Sequence, residues 1–190
     1  MRGCHSEKMA RNTSGLFLLC SLLILFLSLS ACQPAYPPSN AAVAFKKEVR
    51  DNIEKLSPLF ADALLKGNQK QVETALIRAC AEAEQHGKPF SCGIAILDKN
   101  GISITSTSPR KPSRGIDYSH YESITKSLRE KKIVHTRLFL QDGTKIFAIS
   151  SPLVKDGNLL GLLVLGYFST EVQRNWGLTE AEFLEINFNP

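Results

Sequence analysis

His135, Arg137 and Phe139 alternate along an apolar stretch with Val134, Thr136, Leu138 and Leu140. If that stretch is a strand, two basic side chains share one of its faces. An arginine buried without a counter-charge is costly, whereas a carboxylate held by two parallel hydrogen bonds satisfies it. The chemistry suggested is capture of a small organic anion, above all a carboxylate. The same side chains could instead face solvent beside an uncovered part of the sheet, or pair internally with Asp117 or Glu122. Catalytic signatures are missing: there is no Gly-x-Ser-x-Gly, no glycine-rich phosphate loop, no Gly-x-Gly-x-x-Gly and no His-Glu-x-x-His. His86, His120 and His135 share no metal-ligand spacing, and Cys80 and Cys92 make a poor zinc pair. No Cys-x-x-Cys-His is present to attach haem. The expectation is a protein that is not an enzyme and holds neither metal nor cofactor.

The elements that must position these residues centre on 145–169, expected to be two strands joined by the turn Lys155-Asp156-Gly157-Asn158. In the second strand Leu160, Leu162, Val164 and Phe168 fall on one face, and Leu159, Leu163, Leu165 and Tyr167 on the other. A strand apolar on both faces lies inside a sheet covered twice. Gly161 and Gly166 interrupt it where a bulge, or close approach of a backbone or ligand, is the usual reason for glycine. Pro152 marks where the first strand should end or bulge.

Upstream, Phe45, Val49, Ile53, Leu56, Phe60 and Leu64 recur at steps of three and four, which predicts a long amphipathic helix over 41–66. Pro58 should kink it, or restart it with Ser57 as cap. A second helix is expected over 69–85, with Val72, Leu76, Cys80 and Ala83 inward and Gly87 as its stop. Strands follow at 90–98 and 102–108, joined by Lys99-Asn100-Gly101. The loop 109–117, whose Arg110, Lys111 and Arg114 suit a solvated rim, leads to a helix at 118–131 and a strand at 133–141. Thr179 and Glu182 form a capping box for a final short helix over 180–186. The fold class is α+β: a five-stranded antiparallel sheet, a long N-terminal helix and a second helix packed on it, and a short C-terminal helix.

Residues 1–32 have a basic start, an apolar run from 16 to 29 and small residues before Cys32, the pattern of an export signal. The run is shorter than the roughly 20 residues a spanning helix needs. Leu29-Ser30-Ala31-Cys32 resembles a bacterial lipobox, which implies a signal peptide over 1–31 and lipidation of Cys32 as the first mature residue. Multiple acyl chains, at about 0.8 kcal/mol per buried CH₂, would hold the protein on its membrane. Gln33 rather than aspartate leans towards the outer membrane, facing the periplasm, if the cell has one. Residues 32–40 are then a proline-rich tether and 41–190 a single domain. Removing the leader takes away Arg2, Lys8, Arg11 and Glu7, lowering the formal charge from +5 to +3, too mild to argue for nucleic acid. With 43% hydrophobic and 22% charged residues, neither disorder nor a polytopic membrane protein fits. Cys4 and Cys20 leave with the leader and Cys32 is spent on lipid, so Cys80 and Cys92 remain as a pair. An oxidising compartment permits them to form a disulfide, worth roughly 3 kcal/mol by loop closure; the alternative is two buried free thiols.

The run GIAILDKNGISITSTS, then RGIDYSHYESITKSL, then DGTKIFAISSPLVKDGNLLGLLVLGYF is similar to the Cache family of extracytoplasmic, PAS-like sensor domains. The likeness lies in a strand-Asp-x-x-Gly-strand opening, a Gly-x-Asp before a short helix, and a closing strand-Pro-turn-Gly hairpin. It covers about 41–170. It implies a ligand pocket between the sheet and 114–121, adding Arg114, Tyr118, His120 and Tyr121 to His135 and Arg137. The aspartate that amino-acid-binding members carry near the end of the last strand is replaced here by Tyr167-Phe168-Ser169, which points away from an amine. The expectation is a small-molecule-binding sensor lipoprotein held through Cys32. No second apolar stretch is long enough to span, so it would signal in trans through a partner membrane receptor or envelope protein. The alternative is a structural or assembly lipoprotein using the fold as a docking surface without a ligand.

Overall fold

The computed structural model describes residues 37–107, 114–140 and 142–189. The expected signal peptide and Cys32 lie outside these residues, as do Arg110 and Lys111. Helix α1 (Asn40–Leu65) begins where the Ser39 hydroxyl accepts the Ala42 N–H at 3.1 Å, satisfying one of the orphan donors of a helix start. It runs unbroken through Pro58. Ser57 does not cap a restart, since its hydroxyl is buried without a hydrogen-bond partner among the described residues. Asn68 caps α2 (Gln69–Gln85) by accepting from the Lys70 N–H at 3.0 Å, and Gly87, at φ +66°, turns the chain away.

The sheet is antiparallel in the order β2-β1-β5-β4-β3. Its strands are β1 (Gly93–Asp98), β2 (Ser103–Ser106), β3 (Val134–Phe139), β4 (Lys145–Lys155) and β5 (Asn158–Phe168). The first three are shorter than the sequence suggests. The Asp98 carboxylate explains one boundary, accepting from the N–H groups of Asn100 and Ile102 at 2.8 and 2.9 Å, so the turn begins at its own side chain. Strand β4 does not end at Pro152, which pairs with Leu162 in the ladder. Strand β3 reaches β4 only as far as Ser150, so Pro152 lies where β4 has no second neighbour and a missing N–H is tolerated. The bulge comes just beyond, where Leu153 and Val154 oppose Gly161 and Leu159 and leave Leu160 unpaired. Outside the ladder, Ser103 exchanges backbone bonds with Ile116 (2.9 Å) and Gly115 (2.7 Å). The Asn189 side-chain amide both accepts from the Ile133 N–H (2.9 Å) and donates to its carbonyl (3.0 Å).

Both faces of β5 are covered. On one, Leu163, Leu165 and Tyr167 meet Phe45, Val49, Ile53 and Phe60 of α1. The Asn52 amide donates to the buried Tyr167 hydroxyl at 3.1 Å, and burial pushes the Tyr167 pKa up. On the other face Leu162 packs with Leu97 and with Ile124 of α3 (Glu122–Glu130). Helix α3 starts four residues later than expected because local bonds compete with it. The Asp117 carboxylate accepts from the Ser119 N–H at 2.8 Å, and the Tyr118 carbonyl accepts from the Tyr121 N–H at 3.0 Å.

Beyond β5 lies a helix the sequence reading did not foresee, α4 (Ser169–Trp176), ended by Gly177 at φ +72°. Helix α5 (Glu180–Glu185) follows with the expected capping box: Thr179 accepts from the Glu182 N–H, and Glu182 from the Thr179 N–H. Hydroxyls of Ser39 and Thr179 hold the Glu182 carboxyl down to about 2. The Phe183 ring stacks on Phe147 with centroids 4.1 Å apart. Cys80 and Cys92 do not form the expected disulfide here but are free thiols, both packed against the α1-side core. Burial pushes Cys92 up to about 12, and such a thiol stays protonated and weakly nucleophilic. Among the described residues no helix is long and apolar enough to cross a membrane.

Of the described glycines, Gly161 leaves the least room for a side chain. A Cβ built on it would lie 2.2 Å from the Leu97 carbonyl oxygen, in the neighbouring strand rather than in a yielding side chain. Gly161→Ala should lower stability by about 1–3 kcal/mol or more, the range for overpacking a core, measured as a fall in the urea midpoint. Gly157→Ala, in an open turn with nothing within 4 Å but at φ +77°, should cost less.

Candidate functional site

Helix α3 covers only part of its side of the sheet, and beside it lies a cavity of about 340 Å³. The floor comes from alternate residues of neighbouring strands: Ala95 and Leu97 of β1, Val164 and Gly166 of β5, Ile146, Ala148 and Ser150 of β4, and Leu138 of β3. Tyr118, Tyr121, Ser123 and Ile124 form the facing wall. The tyrosine rings are 6.1 Å apart and tilted by 31°. Gly93, Ile94, Ser106, Thr107, Phe139, Leu140 and Phe168 complete the lining, and Phe139 and Phe168 are exposed.

Hydroxyls supply all the side-chain polarity of the described lining; no charged side chain contributes. The Thr107 hydroxyl is committed to the fold, accepting the Ile94 N–H at 2.8 Å. Ser150 differs. Its backbone carbonyl accepts the Ser127 hydroxyl at 3.2 Å, but its own Oγ is buried without a hydrogen-bond partner among the described residues. A buried hydroxyl without a partner costs about 1–3 kcal/mol, so its position in the cavity floor calls for an explanation.

Of the six residues expected to bind a ligand, only Tyr118 and Tyr121 line the cavity. His120 is exposed and lays its ring against Tyr121, with centroids 4.2 Å apart. Arg114 donates to Gln69 at 2.6 Å and pairs with Glu73 at 3.6 Å, both on α2. His135 and Arg137 do share a face of β3, but that face turns towards the helical layer. Arg137 pairs with Glu180, which also binds Lys145, and its guanidinium lies over Phe139. The counter-charge is thus neither a ligand nor Asp117 or Glu122. His135 stands edge-on to Phe183 (5.2 Å) and Phe188 (5.1 Å), and its Nε2–H donates to the Leu184 carbonyl at 3.2 Å. Alternation separated the two faces of β3 correctly; the partners on α5, some forty residues downstream, decided which layer each face met. Ser123, Ser150 and the small residues Ala148 and Gly166 escaped the sequence reading as site residues, although Gly166 carried a signal as a glycine inside an apolar strand. Among the described residues no group of three or more His, Cys, Asp and Glu side chains could hold a metal ion.

The fold, a five-stranded antiparallel sheet flanked by helices, is one the chain shares with proteins of known structure. Neither protein-family models nor curated proteins match the chain by sequence. Among solved structures it is similar to the sensor domain of the V. cholerae histidine kinase DctB, at 16% identity and a TM-score of 0.57, over 87% of this chain and 60% of that one. It is also similar to the ligand-binding domain of the Pseudomonas aeruginosa PAO1 amino acid chemoreceptor PctC, solved in complex with GABA, at 15% identity and a TM-score of 0.50, over 70% of this chain and 58% of that one. The chain therefore spans about three fifths of the length of these two solved chains, and at such identities the likeness is one of fold.

Burial holds the His135 pKa below its ordinary 6.5, and the bond to Leu184 opposes this only in part. The unfolded chain then binds the proton more tightly than the folded one, so stability rises with pH through this window. The contribution is present above about pH 6.5 and is lost as pH falls from there towards the folded value. The urea midpoint should drop between pH 7.5 and 5, and His135→Gln should flatten that drop. A wild-type profile that rises on acidification would contradict the assignment.

Proposed function

We propose that this domain is an extracytoplasmic, sensor-type small-molecule-binding module, carried by an envelope lipoprotein anchored at Cys32. It reports its ligand state in trans to a partner membrane receptor or envelope protein. The observation that carries the reading is the cavity of about 340 Å³ between the sheet and 118–124, within the size range of small-molecule sites. The shared fold adds to it, since the P. aeruginosa domain is a ligand-binding domain solved with GABA. The small organic anion suggested by the sequence loses the two basic side chains that argued for it, because Arg137 and His135 face the other layer. Among the described residues the cavity supplies no cation in their place.

Thermal shift against a panel of short carboxylates, amino acids, amines, sugars and neutral small molecules tests binding. A ligand at a hundred times its dissociation constant stabilises by about 2.7 kcal/mol. Gly166→Leu should abolish the shift. It projects a side chain into the cavity, while the added Cβ meets nothing closer than the Gly93 carbonyl oxygen at 4.0 Å. A shift that survives Gly166→Leu, or no shift across the panel, would overturn the reading. A cross-linked partner captured equally well with wild type and Gly166→Leu would favour a docking scaffold instead.

The anchor rests on Leu29-Ser30-Ala31-Cys32. Mass spectrometry of the mature N-terminus should find acylated Cys32, and an intact Met1 would refute it.

A further inference from the structure

The floor of the cavity holds two features that act together. Gly93 and Gly166 face each other across β1 and β5, with Ala148 opposite Gly166 on β4. A Cβ on Gly166 would have no neighbour nearer than 4.0 Å, and one on Gly93 none nearer than 3.7 Å. The glycines are therefore not demanded by local packing, as Gly161 is; they leave the floor flat and low. Ser150, two residues from Ala148 on β4, brings the buried Oγ that has no hydrogen-bond partner among the described residues. The rest of the described lining is aliphatic, aromatic or hydroxylic.

We infer that the site takes an uncharged, largely apolar small molecule, with a ring lying on the Gly93–Gly166 floor and one hydroxyl or carbonyl group meeting Ser150 Oγ. The inference rests on the binding reading above and narrows it. A charged ligand entering this lining would give up its hydration without gaining a counter-charge, a cost that hydroxyls alone offset poorly. A neutral ring gives up little, fills apolar space and supplies the hydrogen bond that Ser150 Oγ lacks among the described residues. Tyr118 and Tyr121, on the opposite wall, offer aromatic surface to the same ring.

Three probes of nearly equal shape separate the possibilities: benzyl alcohol, benzoate and benzylamine, titrated into the mature protein by calorimetry, with toluene as a probe lacking the polar group. Benzyl alcohol should bind at least tenfold more tightly than benzoate or benzylamine. Ser150→Ala should weaken benzyl alcohol at least tenfold and leave toluene unchanged. The ligand-free Ser150→Ala variant should melt no lower than wild type, because it removes a hydroxyl that had no partner, so a loss of binding would not reflect a loss of fold. Benzoate or benzylamine binding as tightly as benzyl alcohol would overturn the inference while leaving small-molecule binding intact. So would benzyl alcohol binding that Ser150→Ala does not change. Failure of all four probes, with a charged member of the wider panel bound and displaced by Gly166→Leu, would overturn it too; failure of every compound would remove the binding reading along with it.

Discussion

Strand β5 is apolar on both faces and sits between β1 and β4, so the domain must cover the sheet twice or leave apolar surface in water. One side is covered by α1, which at 26 residues is about 39 Å long at 1.5 Å per residue, by α2, and by the aromatic side chains of the C-terminal segment. The other is given only α3, whose nine residues reach about 13 Å. Eleven-residue strands such as β4 and β5 extend well over 30 Å. The cavity lies on the part of the second face that α3 leaves uncovered.

That asymmetry also explains where the charges went. The face covered by α1 continues, towards β3, under the C-terminal residues, where Glu180 on α5 stands within reach of both Arg137 and Lys145. His135 is enclosed there by Phe183 and Phe188. The polar work on this side is structural, tying the last helix to strands β3 and β4. The opposite side is left with hydroxyls as its only polar side chains among the described lining residues, and one of these, on Ser150, has nothing to bond.

The parts of the fold specified by near neighbours were legible in the sequence. The α1 stripe, the Lys155–Asn158 turn, the double-faced character of β5 and the Thr179–Glu182 cap all depend on spacings of a few residues, and all stand in the structure. Helix α4 was missed because it is eight residues long with a single buried side chain, Val172, too little for a period to show. The site was legible in part. Tyr118 and Tyr121 came from the family resemblance, whereas Ser150 could not stand out, since a serine in an apolar strand looks unremarkable until its surroundings are known. Arg137 and His135 misled because a basic residue in a core strand demands a partner, and sequence does not tell a ligand from a glutamate 43 positions away.

The bonds made by Ser103 and Asn189 outside the ladder have a consequence for assembly. A sheet that is not closed into a barrel exposes unpaired backbone at its two outer strands, where another chain can add itself. On β2 that opening is occupied around Ser103 by the backbone of Gly115 and Ile116. At the start of β3, the Asn189 amide imitates a peptide group and takes both the donor and the acceptor of Ile133. The chain thus plugs its own sheet at those two points, which opposes strand-by-strand aggregation there.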